Sequence, residues 1–203
     1  MALGLLAFAA DSVEGMAGQV VITLVSSGFA WGTAALLMGR TAADRRGAVV
    51  DATVLLTSAT LVYYLLILVL SRRWSGGMLF DGSPADWHGL RSVALMTAAW
   101  LVVSAVAGPS FGLLGHLTRT ARTPTAALAA GAACGLLSGQ AWQHFPTPWL
   151  PGAVLPLVVL AWLATVHRLW RAWPVLLGAT VAATTLSALF WEGLRLAELR
   201  LAG

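Results

Sequence analysis

The sequence predicts an all-α protein: one domain, 1–203, built as a bundle of about six membrane-spanning helices. Three observations predict it. The 203-residue chain is 59% apolar and only 10% charged, where a soluble domain carries roughly a quarter charged residues; its mean hydropathy is +0.82. The apolar residues fall into runs of about 20, the length a helix needs to cross the hydrocarbon of a bilayer. The basic residues, all twelve of them arginine, punctuate these runs instead of forming one stripe. A lone cysteine, Cys134, excludes a disulfide scaffold, and the scattered arginines speak against nucleic acid as a partner.

The chain opens on a stretch, 1–10, too short to span. It reads as an interfacial helix ending at Asp11, or as the remnant of a seventh span. No basic residue precedes it, so a cleaved signal peptide is not expected. The six runs follow at about Ala17–Gly39, Ala52–Leu70, Ser92–Gly115, Pro124–Trp142, Trp149–Val166 and Ala172–Trp191. Backbone amides have no partner in lipid, so each run must be helical, and the alternation of a β-barrel is absent. Pro109 and Pro156 fall inside the third and fifth runs, where a missing donor predicts kinks.

Arginine placement predicts the orientation. Arg40, Arg45, Arg46, Arg119, Arg122, Arg168 and Arg171 lie at one end of the bundle, and Arg72, Arg73, Arg91, Arg195 and Arg200 at the other. The excess puts the first, third and fifth loops inside and both termini outside. The expected location is the cell membrane, with multiple passes and the lipid bilayer as first partner. The outer end differs chemically. Its longest loop, from about Arg72 to Leu90, is rich in Gly and Pro and reads as turns or a lid.

Two stripes carry packing information. Gly131, Gly135 and Gly139 recur every fourth residue in the fourth run, a spacing that lets a second backbone approach closely. Packing within the chain is the favoured reading; a homodimer or partner subunit on that glycine face is the alternative. Gly28 and Gly32, and Gly108 and Gly112, repeat the pattern in the first and third runs. Thr180, Thr184 and Ser187 lie on one face leading to Glu192 and read as interhelical hydrogen-bonding groups, with Tyr63 and Tyr64 as possible partners.

The candidates for chemistry lie at the outer end. Asp86 and Glu192 are the carboxylates that could act as Brønsted acids, and Tyr63, Tyr64, Trp87, His88, Gln140, His144 and Trp191 are the candidate lining of a ligand pocket. An acid at the mouth of an aromatic-lined pocket would suit a prenyl or polyene substrate: the acid protonates the chain and ring faces stabilise the cation. Most of the ten tryptophans need no such role, because they sit at run ends where indoles prefer the interface. Asp51, near the inner interface, is expected to pair with Arg45 or Arg46. Gly108-Pro-Ser110-Phe-Gly112 has the form G-x-S-x-G, but a spanning helix cannot form a hydrolase elbow. No histidine falls inside a run to serve Ser110 as base: His88, His116, His144 and His167 all sit at ends or in loops. No metal set and no cofactor motif is read from the sequence.

The segment 105–122, AVAGPSFGLLGHLTRTAR, followed by the glycine-rich fourth run, resembles a group of small polytopic bacterial membrane proteins, a domain of unknown function. They share a Gly-Pro-x-Phe-Gly-x-x-Gly-His run after a Trp-containing span, then a short basic loop. The resemblance implies a multi-helix bundle and assigns no catalytic residue. It leads to the expectation of a carboxylate at the end of the fourth span, where this chain has Gln140 and Gln143. The expected function is that of a small multi-span membrane protein, transport-related or an accessory subunit, with a small hydrophobic ligand. The alternative is a membrane-embedded enzyme acting on a lipid or isoprenoid, such as an acid-initiated terpene cyclase using Asp86 and Glu192.

Overall fold

The computed structural model describes residues 2–10, 27–72, 74–78, 84, 86–142 and 150–202. Within them the chain forms α1 (Ala2–Ala10), α2 (Gly28–Thr41), α3 (Arg45–Leu66), α4 (Asp86–Thr120), α5 (Thr123–Ser138), α6 (Leu150–Val166) and α7 (Trp173–Ala202). There is no strand among the described residues, only an isolated bridge between Met78 and Pro84. Three segments are long and apolar enough to cross a membrane: Arg45–Ser71, Asp86–Thr120 and Leu169–Gly193. A shorter apolar helix covers Gly152–Val166. The first part of the expected first run, 17–26, lies outside the described residues, and its larger part, from Ser27, falls on α2 and its cap.

Local chemistry sets the helix ends. Ser27 caps α2 by accepting from the Ala30 amide at 3.2 Å, and Asp44 caps α3 by accepting from Gly47 at 2.6 Å. Pro124 sits in the first turn of α5, where its missing N–H costs nothing. The last turn of α3 widens into a π-helical segment, Ile67–Ser71, and stops at Arg72 in the left-handed region, φ 44°. Inside the apolar helices, hydroxyls bond back to the preceding turn, as Thr97 does to Val93 and Thr180 to Leu176. Such bonds keep polar groups satisfied where no water is present.

Glycine backbones seat α4 between α2 and α3. A Cβ at Gly115 would strike the Leu36 carbonyl of α2, one at Gly108 the Thr53 backbone of α3, and one at Gly39 the backbone of Gly112. Across the same layer, buried Thr60 and Ser104 share a hydrogen bond of 3.0 Å. α1 lies on α3, with Gly4 against the Ala59 carbonyl.

α5 is the axis of the bundle. Ala126, Ala127, Ala129, Ala130, Ala133 and Cys134 are all buried, and only a narrow stripe that includes the exposed Leu128 is left uncovered. It contacts α4 and α2 on one flank and α6 and α7 on the other. Its glycine face is filled by α7 of the same chain: Gly131 lies against the Leu176 carbonyl, Gly135 against Thr180, and Gly139 against Ser187. The hydroxyls of α7 use that closeness. Ser138 and Thr184 meet at 2.9 Å, and Ser187 donates to the Leu136 carbonyl at 2.9 Å. The expected meeting of this hydroxyl stripe with Tyr63 and Tyr64 gives way to pairing with α5, because glycine lets α5 and α7 approach closely enough to bond.

Candidate functional site

Three recesses gather many of the polar and aromatic residues on α2, α3, α4 and α7. The largest, about 810 Å³, is a groove between the C-terminal half of α3 and the N-terminal half of α4. Leu61, Tyr64, Leu65 and Leu68 line one wall; Trp87, Leu90, Arg91, Ala94, Thr97 and Leu101 line the other. Both sets repeat every three or four residues, so each is one helix face. The groove exists because α4 is about 52 Å long at 1.5 Å per residue and outruns α2, about 21 Å. Between Asp86 and Val103 none of its residues is buried, and Leu95 and Val102 are exposed. Among the described residues, Arg91 is the one charged residue on the groove walls.

A smaller cavity of about 150 Å³ lies inside the bundle, lined by Ala7, Ser27, Gly28, Trp31, Thr60, Tyr63, Tyr64 and Trp100. Its rings meet edge to face: Trp31 and Tyr63 are 6.4 Å apart, Tyr63 and Tyr64 5.3 Å. Trp191 approaches Trp100 at 6.5 Å, and Gln140 Oε1 lies beside Gly28. Of the residues singled out from sequence, Tyr63 and Tyr64 line this cavity, and Gln140 and Trp191 lie next to its lining residue Gly28. Trp87 stands apart on the α3–α4 groove.

The carboxylates do not join that cluster. Asp86 lies in the first turn of α4, where the helix dipole favours a negative charge, and it accepts a hydrogen bond from the Gly76 amide at 3.1 Å. It lines none of these three recesses. Glu192 lines the third, about 410 Å³, with Trp142, Thr184, Thr185 and Arg195. There both its oxygens are taken by Arg195, at 2.6 and 3.0 Å. That ion pair raises the Arg195 pKa, through the hydrogen bond first and then the charge of Glu192. His144 lies outside the described residues.

Several local expectations are corrected. Asp86, Trp87 and His88 belong to the head of α4, not to the loop, because the helix starts six residues before the apolar run does. His116, placed by sequence at a helix end, is buried inside α4, with Nδ1 lacking a partner. The helix continues past Gly115 to Thr120, and the Thr118 and Thr120 hydroxyls are satisfied within it by the Gly115 and His116 carbonyls. Asp51 makes no ion pair with Arg45 or Arg46: it is exposed on α3, and among the described residues Glu192–Arg195 is the sole ion pair. Ser110 is exposed and bonded to the Val106 carbonyl inside a continuous helix, which is not an elbow.

Sequence reasoning missed a cluster at the opposite, arginine-rich end. Arg40 of α2 donates to His167 Nε2 at 3.0 Å, and its guanidinium lies 4.9 Å above the Trp162 ring, within cation–π range. Arg119 of α4 reaches the Ala42 carbonyl at 2.5 Å. Burial, and next the charge of Arg119, lowers the Arg40 pKa. Burial, and next the charge of Arg40, likewise lowers that of His167. An imidazole that accepts from arginine is neutral and carries its proton on Nδ1. No sequence signal joins residues 40 and 167; only their shared run-end position hinted at it.

No protein-family model, no curated protein and no solved structure matches the chain.

Proposed function

We propose that this is a polytopic protein of the cell membrane, crossing it about six times, that binds an apolar ligand laterally from the bilayer in a transport-related or accessory role. The observation that carries this reading is the α3–α4 groove. Its volume, about 810 Å³, is that of small-molecule sites generally. Its walls are apolar apart from Arg91, Thr97 and the Tyr64 hydroxyl. In a bilayer an apolar chain gains nothing merely by leaving lipid for leucine. Selectivity must therefore come from those few polar groups and from the shape of the groove. A chain carrying an anionic or hydrogen-bonding head fits, with the head at Arg91.

The test is photo-crosslinking in lipid nanodiscs with a diazirine-bearing fatty acid. Adducts are expected on the groove walls, around Leu65 and Ala94, and Ala94→Trp should abolish them while the protein stays monodisperse. Adducts spread evenly over all lipid-facing helices would refute the reading. Its six-span part is tested by cysteine accessibility from each side of the membrane.

The aromatic cavity favours a second reading, an enzyme acting on an isoprenoid, because ring faces stabilise cations. Asp86 or Glu192 would supply the proton. Membranes containing the protein, supplied with a prenylated substrate, should then yield a product that disappears in Glu192→Gln or Asp86→Asn. The same product from both variants would remove this reading.

A further inference from the structure

We propose that Arg40, Arg119 and His167 form a binding site for the phosphate group of an anionic membrane lipid. The three come from α2, α4 and the turn after α6, so the site joins both flanks of the bundle at its arginine-rich end. Arg40 is half-buried, its guanidinium held between the Trp162 face and His167. It interacts with the charge of Arg119, yet no carboxylate pairs with either arginine among the described residues. Asp44, the nearest acid in sequence to Arg40, is engaged in capping α3 through Gly47.

A partly desolvated Arg40 with a second, exposed guanidinium drawn close to it calls for an anion. Most of their N–H donors are uncommitted, since each guanidinium has five and makes one of the hydrogen bonds described. A guanidinium fork matches two phosphate oxygens. Lipid phosphates lie at the level where the helices end, and basic pockets between helices at a cytoplasmic face suit anionic head groups. A phosphate here would also compensate the positive field on His167, whose charged neighbours are Arg40 across from it, Arg119 beyond that, and Arg168 and Arg171 on its own segment. The inference is independent of the α3–α4 groove.

The full chain in phosphatidylcholine nanodiscs would be titrated with phosphatidylglycerol, and retained lipid counted by native mass spectrometry. Wild type should retain phosphatidylglycerol over phosphatidylcholine. Arg40→Gln and Arg119→Gln should each weaken that preference about tenfold, more than the roughly fivefold of a surface arginine that merely adds to the field. Arg171→Gln provides that comparison. Equal losses for Arg40→Gln and Arg171→Gln, or no preference in wild type, would overturn the proposal.

Inorganic phosphate distinguishes the source. If it displaces phosphatidylglycerol at equal concentration, the ligand is a free anion and the lipid assignment fails. A second readout needs no variant: nitrogen-15 NMR of the His167 ring. Its pKa should rise when phosphatidylglycerol is added to phosphatidylcholine discs, and an unchanged titration would overturn the site.

Discussion

Gly39→Ala probes the seam on which the first half of the bundle depends. An added Cβ would sit 2.6 Å from the Gly112 Cα and 2.7 Å from its carbonyl carbon. The obstacle is backbone, which cannot rotate away as a side chain can, so α2 and α4 must separate. That loosens the Gly115 contacts with Leu36 and Arg40 as well. Overpacking of this kind costs about 1–3 kcal/mol, and the backbone obstacle argues for the upper end. Alanine returns about 1 kcal/mol through helix propensity. The net expectation is a loss of about 2 kcal/mol, or about 30-fold in the folding equilibrium. Gly178→Ala is the matched control. Nothing lies within 4 Å of its added Cβ, so it should be neutral or stabilising by up to about 1 kcal/mol. Reversible unfolding in mixed SDS micelles, followed by circular dichroism, measures both. Equal stability of Gly39→Ala and wild type would refute the argument that these backbones touch.

Further predictions follow from the hydroxyl pairs, the histidine and the cysteine. A double-mutant cycle on Thr60→Val and Ser104→Ala should give a coupling of about 0.6–1.7 kcal/mol, the range for hydrogen bonds between membrane helices; zero coupling would mean that their hydrogen bond does not form. Because the folded-state pKa of His167 is lowered, its contribution is fully present above the ordinary value of 6.5 and is lost as pH falls from there through the folded-state pKa. Unfolding titrations should therefore show wild type losing stability on acidification in that window, with the slope reduced in His167→Gln. Cys134 is 1% exposed, so maleimide should label it only at the rate of unfolding; rapid labelling of the native protein would contradict a buried α5.

The helical class was legible because lipid leaves few solutions for an apolar backbone, and the runs beginning at Ala52, Ser92 and Ala172 carry that signal in length alone. The glycine spacing of α5 was legible as close contact, since only a missing side chain lets backbones meet every fourth residue. Which helix fills the face was not, because a stripe carries no address; Thr180 and Ser187 identify α7 only once their bonds to α5 are seen. Helix ends were misread where polar residues prolong a helix. Thr118 and Thr120 satisfy themselves within the helix, which runs past His116, and Asp86 starts α4 before its apolar run does. The Arg40–His167 contact spans 127 residues, and neither residue differs in sequence from an ordinary interfacial anchor.

Because α5 takes its neighbours from both sides of the sequence, assembly cannot finish in chain order. The helices preceding it can associate as they are made, but the strip occupied by Leu176, Thr180 and Ser187 waits until α7 has been made. A chain cut short before Trp173 would leave the glycine face of α5 without its neighbour, and another molecule's α7 could fill it. Two fragments divided at that point and co-expressed should therefore rebuild the whole, and a shortened mutant should bind an intact copy and compete with that copy's own α5 for its α7.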